Sequence, residues 1–285
     1  MSKILYDISV VLGTKNRLNL LKATIKSIRN NGFNGKIEII VIDGGSKDGT
    51  CDWLAKQKDI FSIIQPNFKI VDENGIEKLA HSWGEFINIG CKYAKAPWIV
   101  MISDDLILAP NALQKGYDEL SKRLTTDKKI GGGAIYFREY PRKSFYRLIS
   151  LPNGSVHINH GFFNVEALKD INYFDEDHYN FYYADSDLII RLQFNGWKII
   201  ALENSFADHL VHRPTFFRKN ISQSNILDKA YFENKFPQFK EAKIIKHSIK
   251  NNKFIFDFWK SAFINCMLGL LLRIYDIYII KRNNH

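Results

Sequence analysis

The chain has 285 residues, of which 46% are hydrophobic and 25% charged, the balance of a globular protein with a sizeable core and not of a disordered or fibrous one. Lys and Arg number 40 against 30 Asp and Glu, a formal net charge of +10, so an anionic partner is expected: nucleotide phosphates, nucleic acid or an anionic membrane surface. The three cysteines, Cys51, Cys91 and Cys266, are too few and too scattered for a disulfide framework or a zinc pattern, which fits a reducing cytoplasm. Met1 to Leu12 does not read as a signal peptide, because Asp7 interrupts it and Ile8 to Leu12 is too short an apolar core. The expected place of action is the cytoplasmic side.

In chain order, Ile8 to Leu12 reads as a buried strand that runs into the polar turn Gly13-Thr14-Lys15-Asn16-Arg17. Leu18, Leu21, Ile25 and Ile28 then recur at helical spacing, and Asn31-Gly32 stops the helix. Ile37 to Ile42 is a second strand, broken off by Asp43-Gly44-Gly45-Ser46-Lys47-Asp48-Gly49-Thr50: an acid at the strand end, glycines for close backbone approach, and a cap for a helix carrying Trp53 and Leu54. Phe61 to Ile64 reads as a third strand, Pro66 to Ala80 as irregular, and Ser82 to Tyr93 as a helix.

Trp98-Ile99-Val100-Met101-Ile102 is the central strand, apolar throughout as a sheet covered on both faces demands. It ends in Ser103-Asp104-Asp105. Unpaired buried charges are costly, so the two acids are expected just beyond the strand, in an open crevice of the kind where α/β sheets bind ligands. Adjacent carboxylates there suit a hard divalent cation carrying a phosphate. The competing reading is a solvated loop whose acids cap a helix starting near Pro110. Strands alternating with helices indicate a doubly wound α/β sheet. Three of its strands end in Thr14/Asn16/Arg17, Asp43 and Asp104/Asp105, which together read as a site.

Beyond Leu124, Gly131-Gly132-Gly133 and Ala134 to Phe137 read as a glycine-flanked strand, not a phosphate loop, since no Lys-Ser/Thr pair follows. Asn159 to Asn164 precedes a short helical stretch. Phe181 to Asp187 opens a helix carrying Leu188, Ile189, Leu192 and Phe194, closed by Asn195-Gly196. Asp185 and Asp187 at its start have a plain reading as helix cap and dipole partners, a job that needs only one of them. Ile199 to Leu202 is a short strand, followed by Asp208-His209-Leu210-Val211-His212.

From about residue 7 to 212 these segments resemble the family 2 glycosyltransferases of the GT-A fold. Val41 to Thr50 is similar to that family's DDGSxDGT segment, and Asn88-Ile89-Gly90, Ala94 and the strand ending in Asp-Asp to its NxG…A…DD stretch. Ile171-Asn172-Tyr173-Phe174-Asp175-Glu176 resembles the xGGFDE turn, and Asp185-Ser186-Asp187-Leu188 with Arg191 and Gly196 resembles EDxDLxxRxxxxG. The fold implied is α/β of the GT-A type, a Rossmann-like, mostly parallel sheet flanked by helices, over residues 1–215, with a C-terminal helical extension over 216–285. The activity implied is transfer of a sugar from a nucleotide-diphosphate donor to an acceptor hydroxyl, with inversion, in synthesis of a surface polysaccharide or related glycan.

Carried over by position, the resemblance places Thr14, Asn16, Arg17, Asp43, Asn88 and Asp104 at the nucleotide, Asp43 on its base and Asp104 at the ribose. Asp104, Asp105 and His209 would hold Mg²⁺ or Mn²⁺ on the diphosphate, with His212 the rival of His209, and Asp185 would be the catalytic base. The cation would neutralise the charge of the departing diphosphate, and an ionised carboxylate would take the acceptor's proton. The chain departs from the family at Ile102, where an Asp is frequent, at Ala184, where Glu precedes the base, and at Ile87, where Arg often precedes the Asn. The first departure leaves open which of Asp104 and Asp105 ligates the metal. A nucleotidyltransferase would also use an α/β sheet and acidic metal site, but no early glycine-rich triphosphate loop is present. A nucleic-acid-binding protein would explain the charge, but the basic residues are dispersed and form no reading motif, so no nucleic-acid partner is expected.

In the extension, Phe256, Trp259, Phe263, Met267, Leu270, Ile274 and Ile277 recur every three or four residues, one wide apolar face of a long helix. Its longest uncharged stretch, Ser261 to Leu272, is too short to span a bilayer. Two readings stand: a helix packed on the catalytic domain or a dimer partner, or an interfacial helix with Lys281 and Arg282 at an anionic membrane surface. The second would make the enzyme peripheral on the cytoplasmic membrane face, beside a lipid-linked acceptor.

Overall fold

A computed structural model describes residues 5–73, 75–140, 145–151, 155–210, 222–239 and 243–247. The apolar runs become strands β1 (Ile8–Thr14), β2 (Ile37–Asp43) and β3 (Ile60–Ile64), separated by α1 (Leu18–Arg29) and the short α2 (Thr50–Leu54). Helix α1 turns Leu21, Ile25 and Ile28 onto the sheet, each removed from water and each contributing roughly 2 kcal/mol of transfer free energy. Lys26 and Arg29 in its last turn complement the helix dipole. The stretch 66–80, expected to be irregular, folds as a small antiparallel hairpin of β4 (Lys69–Val71) and β5 (Glu77–Leu79). Helix α3 (Trp83–Tyr93) starts at Ser82, whose hydroxyl accepts the Glu85 N–H at 3.1 Å. Strands β6 (Trp98–Met101) and β7 (Leu106–Leu108) and helix α4 (Ala112–Thr126) follow.

The second half consists of β8 (Ile130–Tyr140), β9 (Tyr146–Ser150), β10 (Val156–His157), β11 (Gly161–Asn164), α5 (Val165–Asp170), α6 (Ala184–Phe194), β12 (Lys198–Leu210), α7 (Ser222–Lys235), a 3₁₀ turn (Pro237–Phe239) and β13 (Lys243–His247). Among the described residues one sheet runs in the order β10-β9-β8-β11-β6-β1-β2-β3, with β12 beside β8, β7 beside β12 and β13 beside β9. Pairing is parallel along β6-β1-β2-β3 and between β8 and β12, and antiparallel where β11 separates β6 from β8. The described residues belong to one compact unit.

Two strands exceed the sequence expectation. The 199–202 strand continues as β12 to Leu210, because the chain passes an irregularity between Leu202 and Phe206 and then resumes pairing with β8. The polar residues Glu203, Asn204 and Ser205 conceal that continuation. The triple glycine lies inside β8, where added Cβ atoms would come within 2.8 Å of Trp197, 2.6 Å of the Phe162 carbonyl and 2.7 Å of Leu202. Close packing by neighbours on all sides is what the run is for. Among the described residues no helix is long and apolar enough to cross a membrane. His212 and the amphipathic pattern over 256–277 lie outside the described residues.

Candidate active site

Parallel register brings the tips of β1, β2 and β6 together. Thr14 stands opposite Asp43, and the Ile102 N–H continues the ladder to the Val11 carbonyl at 3.2 Å, so Ser103-Asp104-Asp105 emerges at the same edge. The acidic pair is not in an open crevice as expected from sequence. Asp104 is 3% exposed and Asp105 0%. Their burial is possible because the neighbouring loops supply partners. Thr14 Oγ1 donates to Asp104 Oδ2 at 2.8 Å, and Arg17 Nη1 donates to Asp104 Oδ1 at 2.8 Å and to Asp105 Oδ2 at 3.0 Å. Ser103 Oγ donates to Asp105 Oδ1 at 2.5 Å, and His209 Nε2 lies 3.0 Å from the same oxygen. Burial nonetheless raises the Asp104 carboxyl above its usual range, with Arg17 opposing and Asp105 adding to the rise. The two carboxylates do not cap α4, which begins after Asn111.

His209 reaches this place through strand pairing that the sequence did not advertise. Strand β7 lies antiparallel to β12 with His209 opposite Leu106, and the Leu210 N–H donates to the Asp105 carbonyl at 2.9 Å. Ligands at right angles around a cation with bonds of about 2.1 Å are about 3 Å apart, so the 3.0 Å between Asp105 Oδ1 and His209 Nε2 fits a shared divalent ion. Carboxylate and imidazole are also donors that Mg²⁺ or Mn²⁺ accepts. Among the described residues no three His, Cys, Asp or Glu side chains converge on one point. The fit therefore rests on two protein donors and leaves positions for water and phosphate oxygens.

Asp43 is fully buried in the next strand tip. Its Oδ1 accepts the N–H groups of Gly45 at 2.8 Å and Ser46 at 2.7 Å, while its Oδ2 is buried with no hydrogen-bond partner. Gly45 has φ +78°, a conformation for which glycine is the natural residue. Asn16, at φ +53°, staples the two loops: its N–H donates to Ser46 Oγ and its Oδ1 accepts the Lys47 N–H, both at 2.7 Å. Asn88 stands apart from these residues. Its Nδ2 donates to the Phe174 carbonyl at 2.9 Å and to Glu176 at 2.7 Å, and its Oδ1 accepts the Phe174 N–H at 3.1 Å. In this structure Asn88 holds the 171–176 turn.

That turn supports the candidate base. Asn172 and Tyr173 take φ +58° and +61° where the resemblance has glycines, a conformation costing non-glycine residues of order 1 kcal/mol each. Arg191 secures them, donating to the Ile171 carbonyl at 2.6 Å and the Tyr173 carbonyl at 2.7 Å, and it also pairs with Asp187. Asp187 is wholly buried and also receives Lys235 Nζ at 2.6 Å and the Tyr179 hydroxyl at 3.1 Å. Neither Asp185 nor Asp187 is the helix cap, a position filled by Tyr183 at φ +66°. The Asp185 side chain keeps 29% exposure. Burial alone would raise its carboxyl, but His157 and the Ser186 N–H more than compensate, leaving it below the usual carboxylate range and ionised at neutral pH.

Several functional neighbours escaped the sequence reading. Asp228 on α7 accepts the N–H groups of Asn180 at 2.8 Å, Phe181 at 2.9 Å and Tyr182 at 2.8 Å, fixing the segment that leads to Asp185. His160 is buried between the two acidic groups: burial first, then His209, drive its imidazole down to about 3, while Asp105 and Asp185 both pull the other way. His157 Nε2 lies 3.6 Å from Asp185 Oδ2 and 3.1 Å from Ser186 Oγ. The only available signal was the pair of histidines in His157-Ile158-Asn159-His160, which no spacing rule links to Asp185. Thr14, Arg17, Asp104, Asp105 and His209 are thus one constellation, Asp43 and Asn16 line the adjoining loops, and His160 lies within the fields of both Asp105 and Asp185.

The family model described as "Glycosyl transferase family 2" matches residues 9–172, more than half of the chain. No curated protein matches in sequence. Among solved structures, the mannosyltransferase PcManGT from Pyrobaculum calidifontis, in complex with GDP-Man and Mn²⁺, is similar with a TM-score of 0.57 at 17% identity, covering 82% of this chain and 67% of that one. S. aureus TarS 1–349 in complex with UDP-GlcNAc gives a TM-score of 0.58 at 13% identity, covering 80% of this chain and 67% of that one, and its complex with UDP gives 0.55 at 15% identity. This chain spans about two thirds of the length of these structures, 66% in the UDP complex, and 40% of a longer TarS structure. With strands, acidic tips and family model in agreement, the nucleotidyltransferase alternative is set aside: the chain belongs to glycosyltransferase family 2 and is a glycosyltransferase of the GT-A fold.

Proposed function

We propose that the protein transfers a sugar from a nucleotide-diphosphate donor to an acceptor hydroxyl, with a divalent cation at Asp105 and His209 and with Asp185 as base. The observation that carries this reading is the gathering of Thr14, Arg17, Asp104, Asp105 and His209 at one strand edge, with His160 between the fields of Asp105 and an ionised Asp185. Asp43, whose buried Oδ2 lacks a partner, has that oxygen left for a donor N–H of a nucleobase. Thr14, Asn16, Arg17 and Asp104 line the remainder of the nucleotide path. Bound Mg²⁺ or Mn²⁺ would supply Lewis-acid stabilisation of the diphosphate leaving group. PcManGT with GDP-Man and Mn²⁺, and TarS with UDP-GlcNAc, support this donor class.

In the reaction the acceptor oxygen forms its bond to the anomeric carbon while the bond from that carbon to the diphosphate oxygen breaks, its electron pair leaving with the phosphate. Asp185 takes the acceptor proton. A single displacement of this kind inverts the anomeric centre. The net charge of +10 and the apolar pattern over 256–277 support a glycan or lipid-linked acceptor at the cytoplasmic membrane face, in the synthesis of a surface polysaccharide. The reading is tested by thermal shift with UDP-GlcNAc, GDP-mannose, UDP and GDP, each with and without Mn²⁺. A nucleotide should raise Tm by several degrees, more so with Mn²⁺, and the Asp104→Ala/Asp105→Ala variant should lose the Mn²⁺ increment. No shift with any of the four nucleotides, or an increment retained by the double variant, overturns it.

A further inference from the structure

We infer that His157 is a positioning residue for Asp185, resting on the reading of Asp185 as base: it orients the half-buried carboxylate towards the acceptor and favours its charged form. His157 sits on β10, some thirty residues upstream of α6, and is 3% exposed. Its Nε2 faces both Asp185 Oδ2, at 3.6 Å, and Ser186 Oγ, at 3.1 Å. Its other ring nitrogen, Nδ1, is buried and has no hydrogen-bond partner. The ring is therefore steered from one side only, by the first turn of α6. A residue needed for packing alone would be served by an apolar ring, which leaves no polar nitrogen stranded; a buried polar atom left unpaired calls for a functional reason.

The carboxylate needs such a neighbour. Its Oδ1 accepts the Ser186 N–H at 2.8 Å, which leaves Oδ2 as the oxygen facing the imidazole. The other ionisable groups bearing on Asp185 are Tyr183 on the segment before α6 and His160 before β11, and His160 in turn adjoins His209 and Asp105. The Tyr183 phenol is raised above its usual range and carries no charge near neutrality, and the His160 ring packs against Phe137 and His209. Lys235 and Arg191 are spent on Asp187, two residues further along α6. Besides the Ser186 N–H, the ring that favours the Asp185 anion is His157, 3.6 Å from Oδ2 and held there by Ser186 Oγ.

The test reads the ionisation of Asp185 directly and requires no substrate. Carbodiimide modifies protonated carboxyl groups, so labelling of the full chain across a pH series, followed at the Asp185 peptide by mass spectrometry, gives a midpoint. In wild type this midpoint should lie below about 3.9, the free aspartate value. In His157→Gln it should move up by about one pH unit, the size expected for losing one close favourable partner. His157→Asn serves as the second variant, and labelling at Asp59 is the internal control that should not move. A wild-type midpoint at or above the free value, or an unmoved midpoint in a variant that keeps its Tm, overturns the inference. Asp185→Asn assayed for UDP or GDP release from UDP-GlcNAc and GDP-mannose separates the two claims. Undiminished release in that variant removes Asp185 as base whatever the labelling shows, whereas lost release with an unmoved midpoint removes only His157.

Discussion

The two sides of the site are built by opposite means. On the nucleotide side, three short connections follow the parallel strands β1, β2 and β6 and supply most partners of the carboxylates: Gly45 and Ser46 N–H groups for Asp43, Thr14 and Arg17 for Asp104, and Ser103 and Arg17 for Asp105, to which β12 adds His209. On the base side, Asp185 stands on a helix start held by residues far away in sequence. Asp228 binds the N–H groups of 180–182, Lys235 reaches Asp187, and Asn88 and Arg191 secure the turn at 171–176. The first side is a property of strand ends, closed by hydrogen bonds between connections that the parallel register brings side by side. The second is assembled only when α6, α7 and α3 have packed, which makes it the more vulnerable to distant change.

The largest effect that would sharpen this contrast is on chemistry. Asp185→Asn should lower transfer by about 10²–10⁴-fold while nucleotide binding on the other side stays within twofold, measured by turnover and by calorimetry with UDP or GDP. Because the Asp185 carboxyl lies below the usual range, wild-type kcat/KM should hold as pH falls and be lost only below about pH 4. The sign follows from the depressed value: the charged form persists above it and is lost as pH falls through it. A limb near pH 6 that persists at saturating Mn²⁺ and is absent from the residual activity of Asp185→Asn would contradict the assignment.

Next in size is stability. Asp228→Ala strips three half-buried N–H groups of their acceptor and should cost about 1–3 kcal/mol, read as a lower midpoint in urea. Transfer should fall further than nucleotide affinity, since the lesion sits beside Asp185 and away from Asp43. Equal losses on the two sides would break the comparison. The smallest effect belongs to Arg29 and Asp59, an ion pair at 2.6 Å whose acid is half exposed. Hydrogen bonding from Arg29 lowers the Asp59 carboxyl, yet solvent screening limits the pair's worth. Asp59→Ala should change stability by about 0.5 kcal/mol or less and leave both halves of the site unaffected.

The same contrast explains what could be read before any coordinates. Strand runs such as Ile37 to Ile42 and the acids that end them are contiguous, so periodicity and a charge break locate them together, and the tips of β1, β2 and β6 do meet. The burial of Asp104 and Asp105 was not legible, because it depends on an Arg17 guanidinium placed between them by loop geometry and on a β7–β12 pairing. Strand β7 has only three residues, too few for a periodic signal, yet it delivers His209. Asn88, placed at the nucleotide by the family resemblance, directs its amide to Phe174 and Glu176, a packing role that its motif does not announce. His157, Asp228 and Lys235 lie in stretches without any motif, and only packing reveals their tie to α6.

The three N–H groups gathered by Asp228 have a practical corollary for dividing the protein. A fragment cut after residue 210 would retain every strand tip that faces the nucleotide, together with His209. It would also strand the amides of 180–182 and deprive Asp187 of the ammonium of Lys235, loosening the ledge on which Asp185 stands. Such a fragment would be a poor guide to the reaction even where it remained a fair guide to donor recognition, so the shortest faithful catalytic piece has to extend past Phe236.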